Sequence, residues 1–121
     1  MFQAASGLAG GIGRTHNTCG ALLGGAMALS LKNGRKRSEF TDSGKPYQSL
    51  SNVERLVNRF EKEFGSLTCR DITTSFLGEY LDTRIPEQRE KAEKLGLHDK
   101  CADLVGKTAA MVAEMMLEGE D

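Results

Sequence analysis

The sequence predicts an all-α fold, a small bundle of four to five helices with a buried central helix. One apolar stripe at helical spacing lies among charged residues and comprises Val53, Leu56, Val57, Phe60 and Phe64. A second stripe near the C-terminus comprises Cys101, Leu104, Val105, Thr108, Val112, Met115 and Met116. Segment 73–81 is ambiguous, but an isolated strand there would lack a partner. The length of 121 residues suits one unit, so 1–121 is predicted to form a single helical domain.

The N-terminal third contains the predicted central helix. Residues 4–14 are rich in Gly and Ala, and glycines at this density oppose a helix interior but permit turns. A helix over 19–32 follows, with Asn17 or Thr18 as its N-cap. It is apolar nearly all round, which is typical of a helix within the core. Small residues recur every four positions and would allow another helix to pack closely: Gly20, Gly24 and Ala28.

The middle of the chain contains a polar segment and the most regular helix. Residues 33–47 are predicted to form a loop. The next segment is predicted to be a helix, because its apolar stripe from Val53 to Phe64 falls on one face. Ser49 or Ser51 is the expected N-cap, and Gly65 is the expected stop.

Three further helical segments complete the bundle. Thr68, with an acidic residue three positions later, has the spacing of a capping box and predicts a short helical turn. Pro86 suits the first turn of a charged helix over 87–95, which Gly96 ends. The last helix is predicted over 99–117.

Composition excludes several classes of partner. The net charge of −1 is not that of a dedicated nucleic-acid-binding protein. No apolar run approaches the ~20 residues that a membrane-spanning helix needs. The N-terminus lacks a basic segment followed by an apolar core, so we expect a cytoplasmic protein with reduced thiols. The basic cluster 35–37 is interpreted as a solvated loop, with a docking patch for an acidic partner as the alternative.

Three cysteines are the residues most able to carry chemistry. Cys19, Cys69 and Cys101 are each predicted to lie in the first turn of a helix. Unpaired N–H groups and the helix dipole favour thiolate there, so we expect the pKa of at least one thiol to be lowered. Several helix ends can meet in a small bundle, so the three are expected to converge. The alternative is that they are inert core residues, since cysteine packs as a small hydrophobe.

Two histidines extend the possible ligand set. His98 stands three residues before Cys101, so a helix would place both on one face. Cys19, Cys69, Cys101 and His98 would then form a Cys₃His metal site, although a surface histidine is the commoner situation. His16 precedes Cys19 by three residues and is a candidate base or alternative ligand. The cysteine spacings match no zinc-finger or ferredoxin pattern.

A family resemblance rests on the order of several motifs. Residues 19–24 read CGAxxG, after the glycine-rich stretch 6–14, and Cys69 and Cys101 follow within 64–70 and 101–105. This order resembles the bacterial and archaeal family of redox-active proteins named for its C_GCAxxG_C_C pattern, over nearly the whole chain. The resemblance implies redox activity, with an iron–sulfur cluster or a transition metal as the suspected prosthetic group.

The resemblance also assigns the cysteines. Cys19, Cys69 and Cys101 match the last three of the four characteristic cysteines of the family. The first would lie upstream of the glycine-rich stretch and has no counterpart here, so the domain is expected to be truncated at its N-terminus or to have lost this residue.

Three functions remain open from the sequence. The first is a cysteine-based redox-active protein that binds a metal or an iron–sulfur cluster. The second is thiol–disulfide exchange without metal, and the third is a helical interaction module whose cysteines only pack. Besides an unknown redox partner, we expect a twofold homodimer, because Phe2, Leu8 and Ile12 would form an uncovered apolar face.

Overall fold

A computed structural model describes residues 3–41 and 46–118. In order, the described elements are a 3-10 helix (Gln3–Leu8), α1 (Ala9–Ile12), α2 (Gly20–Asn33), a second 3-10 helix (Arg37–Glu39), α3 (Pro46–Phe64), α4 (Cys69–Leu77), α5 (Pro86–Lys94) and α6 (Leu97–Glu118). No strand occurs in these two ranges, so the predicted all-α class is confirmed. The described residues contain five longer helices, α2 to α6, which agrees with the four to five expected, and the short helix α1 in addition.

The most connected element is α2, which packs against α1, α3, α6 and the first 3-10 helix. Its inner face buries Leu22, Gly25 and Leu29. A Cβ atom built on Gly25 would lie 3.0 Å from Val112 and 3.1 Å from Leu56, so a glycine here lets α3 and α6 approach closely. The position of α2 is therefore that of the predicted central helix.

The small-residue strip of α2 makes the expected close approach only in part. A Cβ atom built on Gly20 would lie 2.8 Å from the Leu8 carbonyl oxygen of the first 3-10 helix. Gly24 is exposed, and a Cβ atom built on it would have no neighbour within 4 Å. Gly24 and Ala28 instead line an open apolar groove between α2 and α6. Val105, which was expected on the inner stripe of α6, is 53% exposed beside this groove. The helix α2 is therefore not buried all round, as the prediction of a core helix required, but is open at Gly24.

The core joins the inner faces of α2, α3, α4 and α6. Leu56 and Phe60 are fully buried, which confirms the stripe that the sequence shows on α3. The buried apolar cluster comprises Leu22, Leu29, Leu56, Phe60, Ile72, Leu104, Met111, Val112 and Met115. It fixes the relative positions of the helices that carry the three cysteines.

Two predicted N-caps are wrong for a local reason. The N-cap of α2 is Cys19 and not Asn17 or Thr18, because Thr18 is held in an isolated antiparallel bridge. The third helix, α3, begins at Pro46, so Ser49 lies inside it. The Ser49 hydroxyl lies 3.0 Å from that of Ser30 and joins α3 to α2.

The start of α4 confirms the predicted capping residue. The Thr68 hydroxyl accepts a hydrogen bond from the backbone N–H of Asp71 at 3.2 Å. The helix then continues to Leu77, so the first part of the ambiguous segment, 73–77, is helical, whereas 78–81 lies outside the helix. Gly78 ends it with φ +82°, a left-handed conformation that glycine adopts without strain.

The expected dimer face and the predicted polar loop lie partly outside the described residues. Phe2, part of the expected dimer face, lies outside the described residues, as does 42–45 of the predicted loop. Ile12 of the same face is 44% exposed. None of the described helices has the length and apolar character needed to cross a membrane.

Candidate functional site

A short backbone pairing brings Cys19 and Cys69 together. Thr18 and Thr68 form an antiparallel bridge. Beside it, the Cys19 N–H donates to the Leu67 carbonyl at 2.8 Å, and the Cys69 N–H donates to the Asn17 carbonyl. Since side chains alternate along extended backbone, both cysteines point to the face opposite the two threonines. Each cysteine is therefore fixed at the start of its own helix and directed to the same side.

The glycine-rich stretch packs directly under this pairing. Residues from Gly10 to Arg14 have positive φ, and His16 does too, with φ +61°. The buried Gly11 makes the closest approach, because a Cβ atom there would lie 2.7 Å from the Cys69 Cβ atom. The Asn17 N–H donates to the Gly11 carbonyl at 2.9 Å. The tight turn thus requires glycine at position 11, where the backbone packs against the Cys69 side chain.

The third cysteine reaches the site from α6. This helix begins at Leu97 rather than Asp99. Cys101 therefore lies in its second turn, whereas the sequence predicted the first turn. Leu97, Cys101, Leu104 and Val105 follow helical spacing and share one face. That face lines the same cavity as Cys19 and Cys69.

All three cysteines line one cavity of about 370 Å³. Its wall is mainly aliphatic, with Leu8, Ile72 and Leu104 among the contributing side chains. The polar side chains that reach it, besides the thiols, are those of His16, Thr73 and Thr83. No charged side chain of the described residues lines it. The structure therefore brings the sequence-predicted cysteines together in an apolar setting.

The fourth member of the expected metal set lies elsewhere. His98 is exposed and does not line the cavity; Leu97, its neighbour in the first turn of α6, takes that place. Within the part of the chain that is described, no group of three or more His, Cys, Asp or Glu side chains is arranged to hold a metal ion. The side chains as positioned thus do not fit the Cys₃His site.

Comparison with known proteins gives one match. A family model described as "Putative redox-active protein (C_GCAxxG_C_C)" matches residues 1–115. The chain belongs to the C_GCAxxG_C_C family. No curated protein and no solved structure matches it. The matched range includes Cys19, Cys69 and Cys101, so the family description agrees with the redox class that the cysteine pattern indicated.

In this C_GCAxxG_C_C protein the Cys69 and Cys101 thiols have raised pKa values, which favour their protonated form. Burial raises the pKa of Cys69 to about 11, and negative charge on Cys19 and on Cys101 contributes in the same direction. Burial also raises the pKa of Cys101, with a contribution from charge on Cys19. The expected lowering is therefore wrong for these two residues. Removal of the thiolate from water and repulsion between neighbouring thiolates oppose ionisation.

We expect Cys69 to react slowly with alkylating reagents in the folded protein. Iodoacetamide attacks thiolate, and a pKa near 11 leaves little thiolate at pH 8. Modification of Cys69 should be on the order of 100-fold slower than that of an unperturbed cysteine. Peptide mass spectrometry of timed samples measures this rate, with urea-unfolded protein as the control. Equal rates in the folded and unfolded states would contradict the assignment.

His16 is buried among polar partners that the sequence did not predict. It is only 5% exposed, and its Nε2 lies 2.9 Å from the Thr83 hydroxyl. Its Nδ1 lies 3.3 Å from the Tyr80 hydroxyl, and the two rings meet edge to face. Arg70 stacks on the Tyr80 ring, 4.3 Å from its centroid. The partners Tyr80 and Thr83 were missed because they lie in a loop that carries no motif.

Acidification is expected to destabilise the protein through His16. Burial lowers the pKa of His16, an effect that the charge of Asp82 opposes and those of Arg84 and Arg70 reinforce. The unfolded chain therefore binds more protons than the native state once the pH falls below about 6.5, and stability decreases there. Urea midpoints at pH 7.5 and 5.5 should differ more for the natural chain than for His16→Gln. His98→Gln, at an exposed site, should leave the difference unchanged; an equal loss in both variants would point to another group.

Proposed function

We propose that this chain is a thiol redox protein in which Cys19 and Cys69 cycle between dithiol and disulfide. The observation that carries the proposal is the shared apolar cavity lined by all three cysteines. The antiparallel pairing fixes the backbones of Cys19 and Cys69 beside each other. Negative charge on Cys19 affects the Cys69 thiol, as expected for sulfur atoms that are near neighbours.

In the proposed exchange reaction, the oxidant is a disulfide of a partner molecule. The Cys19 thiolate attacks one sulfur of the partner disulfide, and the other partner sulfur leaves as a thiol after protonation. Cys69 then attacks the mixed disulfide at the Cys19 sulfur, releases the second partner thiol and closes the Cys19–Cys69 bond. Two electrons pass from the two cysteines to the partner. The reverse sequence reduces the protein again.

The three positions favour different roles. Cys19 is the N-cap of α2, directly before the unpaired N–H groups of the first turn, and its side chain makes no capping hydrogen bond. These groups stabilise negative charge, which suits the attacking thiol. Cys69 is held protonated until the mixed disulfide forms, which suits the resolving thiol. Cys101 lies within α6 and is assigned no step.

We expect single serine variants to identify the redox pair. After treatment with glutathione disulfide, the natural chain should lose the mass of two hydrogen atoms and regain it with dithiothreitol. Cys19→Ser and Cys69→Ser should both abolish this cycle. Cys69→Ser should accumulate the glutathione adduct on Cys19, whereas Cys19→Ser lacks the attacking thiol and should form little adduct. Cys101→Ser should retain the cycle. Intact-mass spectrometry after acid quenching measures the three outcomes.

The same experiment can refute the proposal. If the natural chain forms no internal disulfide although three thiols react after unfolding, the cysteines have a packing role. Loss of the cycle in Cys19→Ser and Cys101→Ser, with its retention in Cys69→Ser, would assign the pair to Cys19 and Cys101. Thermal unfolding of each variant separates loss of the bond from loss of the fold.

A second candidate is a metal or iron–sulfur site that uses Cys19, Cys69 and Cys101. The observation in its favour is that charges on neighbouring thiols raise the pKa values of Cys69 and Cys101, a repulsion that a bound cation would offset. The side chains as positioned do not form a ligand group, so binding would require rearrangement and a further donor. Metal analysis and a visible spectrum of anaerobically purified protein test it. Colourless, metal-free protein with three reduced thiols would exclude it.

A further inference from the structure

The cysteine cavity opens into a second apolar depression. A groove of about 580 Å³ runs between α2 and α6, and Gly20, Ala21, Gly24 and Val105 line both it and the cavity. The far part of the groove is lined by small and aliphatic residues, including Ala28, Ala109, Val112, Ala113 and Met116. The cavity and groove therefore form one continuous apolar path that leads from the surface to the thiols.

The character of this path restricts the redox substrate. No charged side chain of the described residues lines either part. A hydrophilic disulfide would lose its hydration on entry without gaining matching polar partners, whereas an apolar ligand would gain from the transfer. The cavity is of ring-sized volume, and drug-sized ligands typically occupy apolar pockets of about 300–1,000 Å³. The groove suits a narrow chain attached to such a ring.

The chemistry of the thiols restricts the oxidant further. Cys69 and Cys101 hold their protons at neutral pH because burial opposes the thiolate. An oxidant that accepts two electrons together with two protons would leave no net charge in this low-dielectric cavity. Quinones are apolar oxidants with this stoichiometry. At the cavity wall, His16 and Thr83 provide a polar edge near which a ring oxygen can be accommodated.

We propose that the cavity binds the ring of a quinone that bears a long apolar substituent, and that the groove between α2 and α6 binds the substituent. The inference rests on the proposed dithiol–disulfide function and names the oxidant for it. Cys19 and Cys69 lose two electrons and two protons and form one disulfide. The two carbonyl oxygens of the quinone gain them and become the hydroxyls of the quinol.

Reduced protein mixed anaerobically with decylubiquinone tests this assignment. The comparison probe is the analogue in which a methyl group replaces the decyl chain; both rings are fully substituted, so neither offers a vacant carbon for simple addition of a thiol. We expect one quinol per protein disulfide, with a second-order rate at least about tenfold higher for the decyl compound because its chain buries apolar surface. Quinone absorbance and intact mass follow the two products.

A substitution at the junction of cavity and groove provides the matched variant. Gly24 lines both, and a side chain added there meets no atom within 4 Å of its Cβ position. Gly24→Leu should fill the passage and reduce the rate with decylubiquinone about tenfold, to that of the methyl analogue. Gly106→Leu is the control: Gly106 lies on α6 outside both linings, also with no atom within 4 Å, and the variant should react like the natural chain.

The possible results separate this inference from the function on which it rests. Oxidation by glutathione disulfide without reduction of either quinone would overturn the inference and leave the function intact. Failure of every oxidant to form the disulfide would overturn both. Equal rates for the two quinones would overturn the assignment of the groove. The same conclusion would follow if light scattering showed a dimer of the natural chain that Gly24→Leu dissociates, because the groove would then be a dimer interface. Circular dichroism melts verify that each variant is folded.

Discussion

Replacing Gly11 with alanine is expected to destabilise the fold by about 3 kcal/mol and to disturb the cysteine site. Gly11 has φ +70°, where a side chain costs about 1–2 kcal/mol. The added methyl group would also lie 2.6 Å from the Asn17 nitrogen and 2.7 Å from the Cys69 Cβ atom. Overpacking of this kind typically costs a further ~1–3 kcal/mol. Backbone must move to relieve it, because two of the three nearest atoms belong to the Asn17 main chain.

Gly13→Ala is the matched control for this substitution. Gly13 has φ +61°, but a Cβ atom there would have no neighbour within 4 Å. This variant should therefore lose only the ~1–2 kcal/mol of the left-handed conformation. Urea denaturation measures both stabilities, and the yield of the Cys19–Cys69 disulfide measures the site. Equal losses in the two variants would show that the contact with Cys69 is less tight than described.

Replacing Phe60 with alanine is expected to destabilise the protein by about 3–5 kcal/mol. The Phe60 side chain is fully buried in the centre of the helical cluster, and its ring centroid lies 4.7 Å from that of Phe64. Truncation removes this apolar contact and leaves a cavity that the packed helices cannot fill completely. Since many domains are stable by only about 5–15 kcal/mol, the loss would approach complete unfolding.

Phe40→Ala provides the comparison for the aromatic core. Phe40 is 70% exposed, so its truncation should change stability by less than about 0.5 kcal/mol. Urea midpoints and heat-induced loss of circular dichroism distinguish the two variants. A loss below about 1 kcal/mol in Phe60→Ala would mean that α3 contributes little to the core, contrary to the burial of Leu56 and Phe60.

The candidate site depends on elements distant in the chain that the core aligns. Cys19 begins α2, Cys69 begins α4, and Cys101 lies within α6. A destabilised core should therefore affect the redox chemistry even when no cysteine is altered. The Gly11 and Phe60 substitutions separate the two levels, because one perturbs the support of Cys69 locally and the other perturbs the whole bundle.

The sequence by itself determined the local features of this protein. Helical spacing of Leu56 and Phe60 predicted the inner face of α3, and the spacing after Thr68 predicted the cap of α4. Such signals suffice because a helix and its caps depend on side chains within about one turn of each other. The order of motifs around Cys19, Cys69 and Cys101 likewise sufficed for the family.

Only the tertiary structure decided the environment of the thiols and of His16. The hydroxyls of Thr83 and Tyr80 reach His16 across 67 and 64 residues of sequence, and no local pattern encodes this contact. Helix starts alone favoured an acidic thiol, yet burial raises the pKa of Cys69 to about 11. Desolvation depends on everything packed around a group, whereas the helix-end effect depends on its own backbone. The sequence therefore identified the chemical groups, and packing between distant segments decided which charges they can hold.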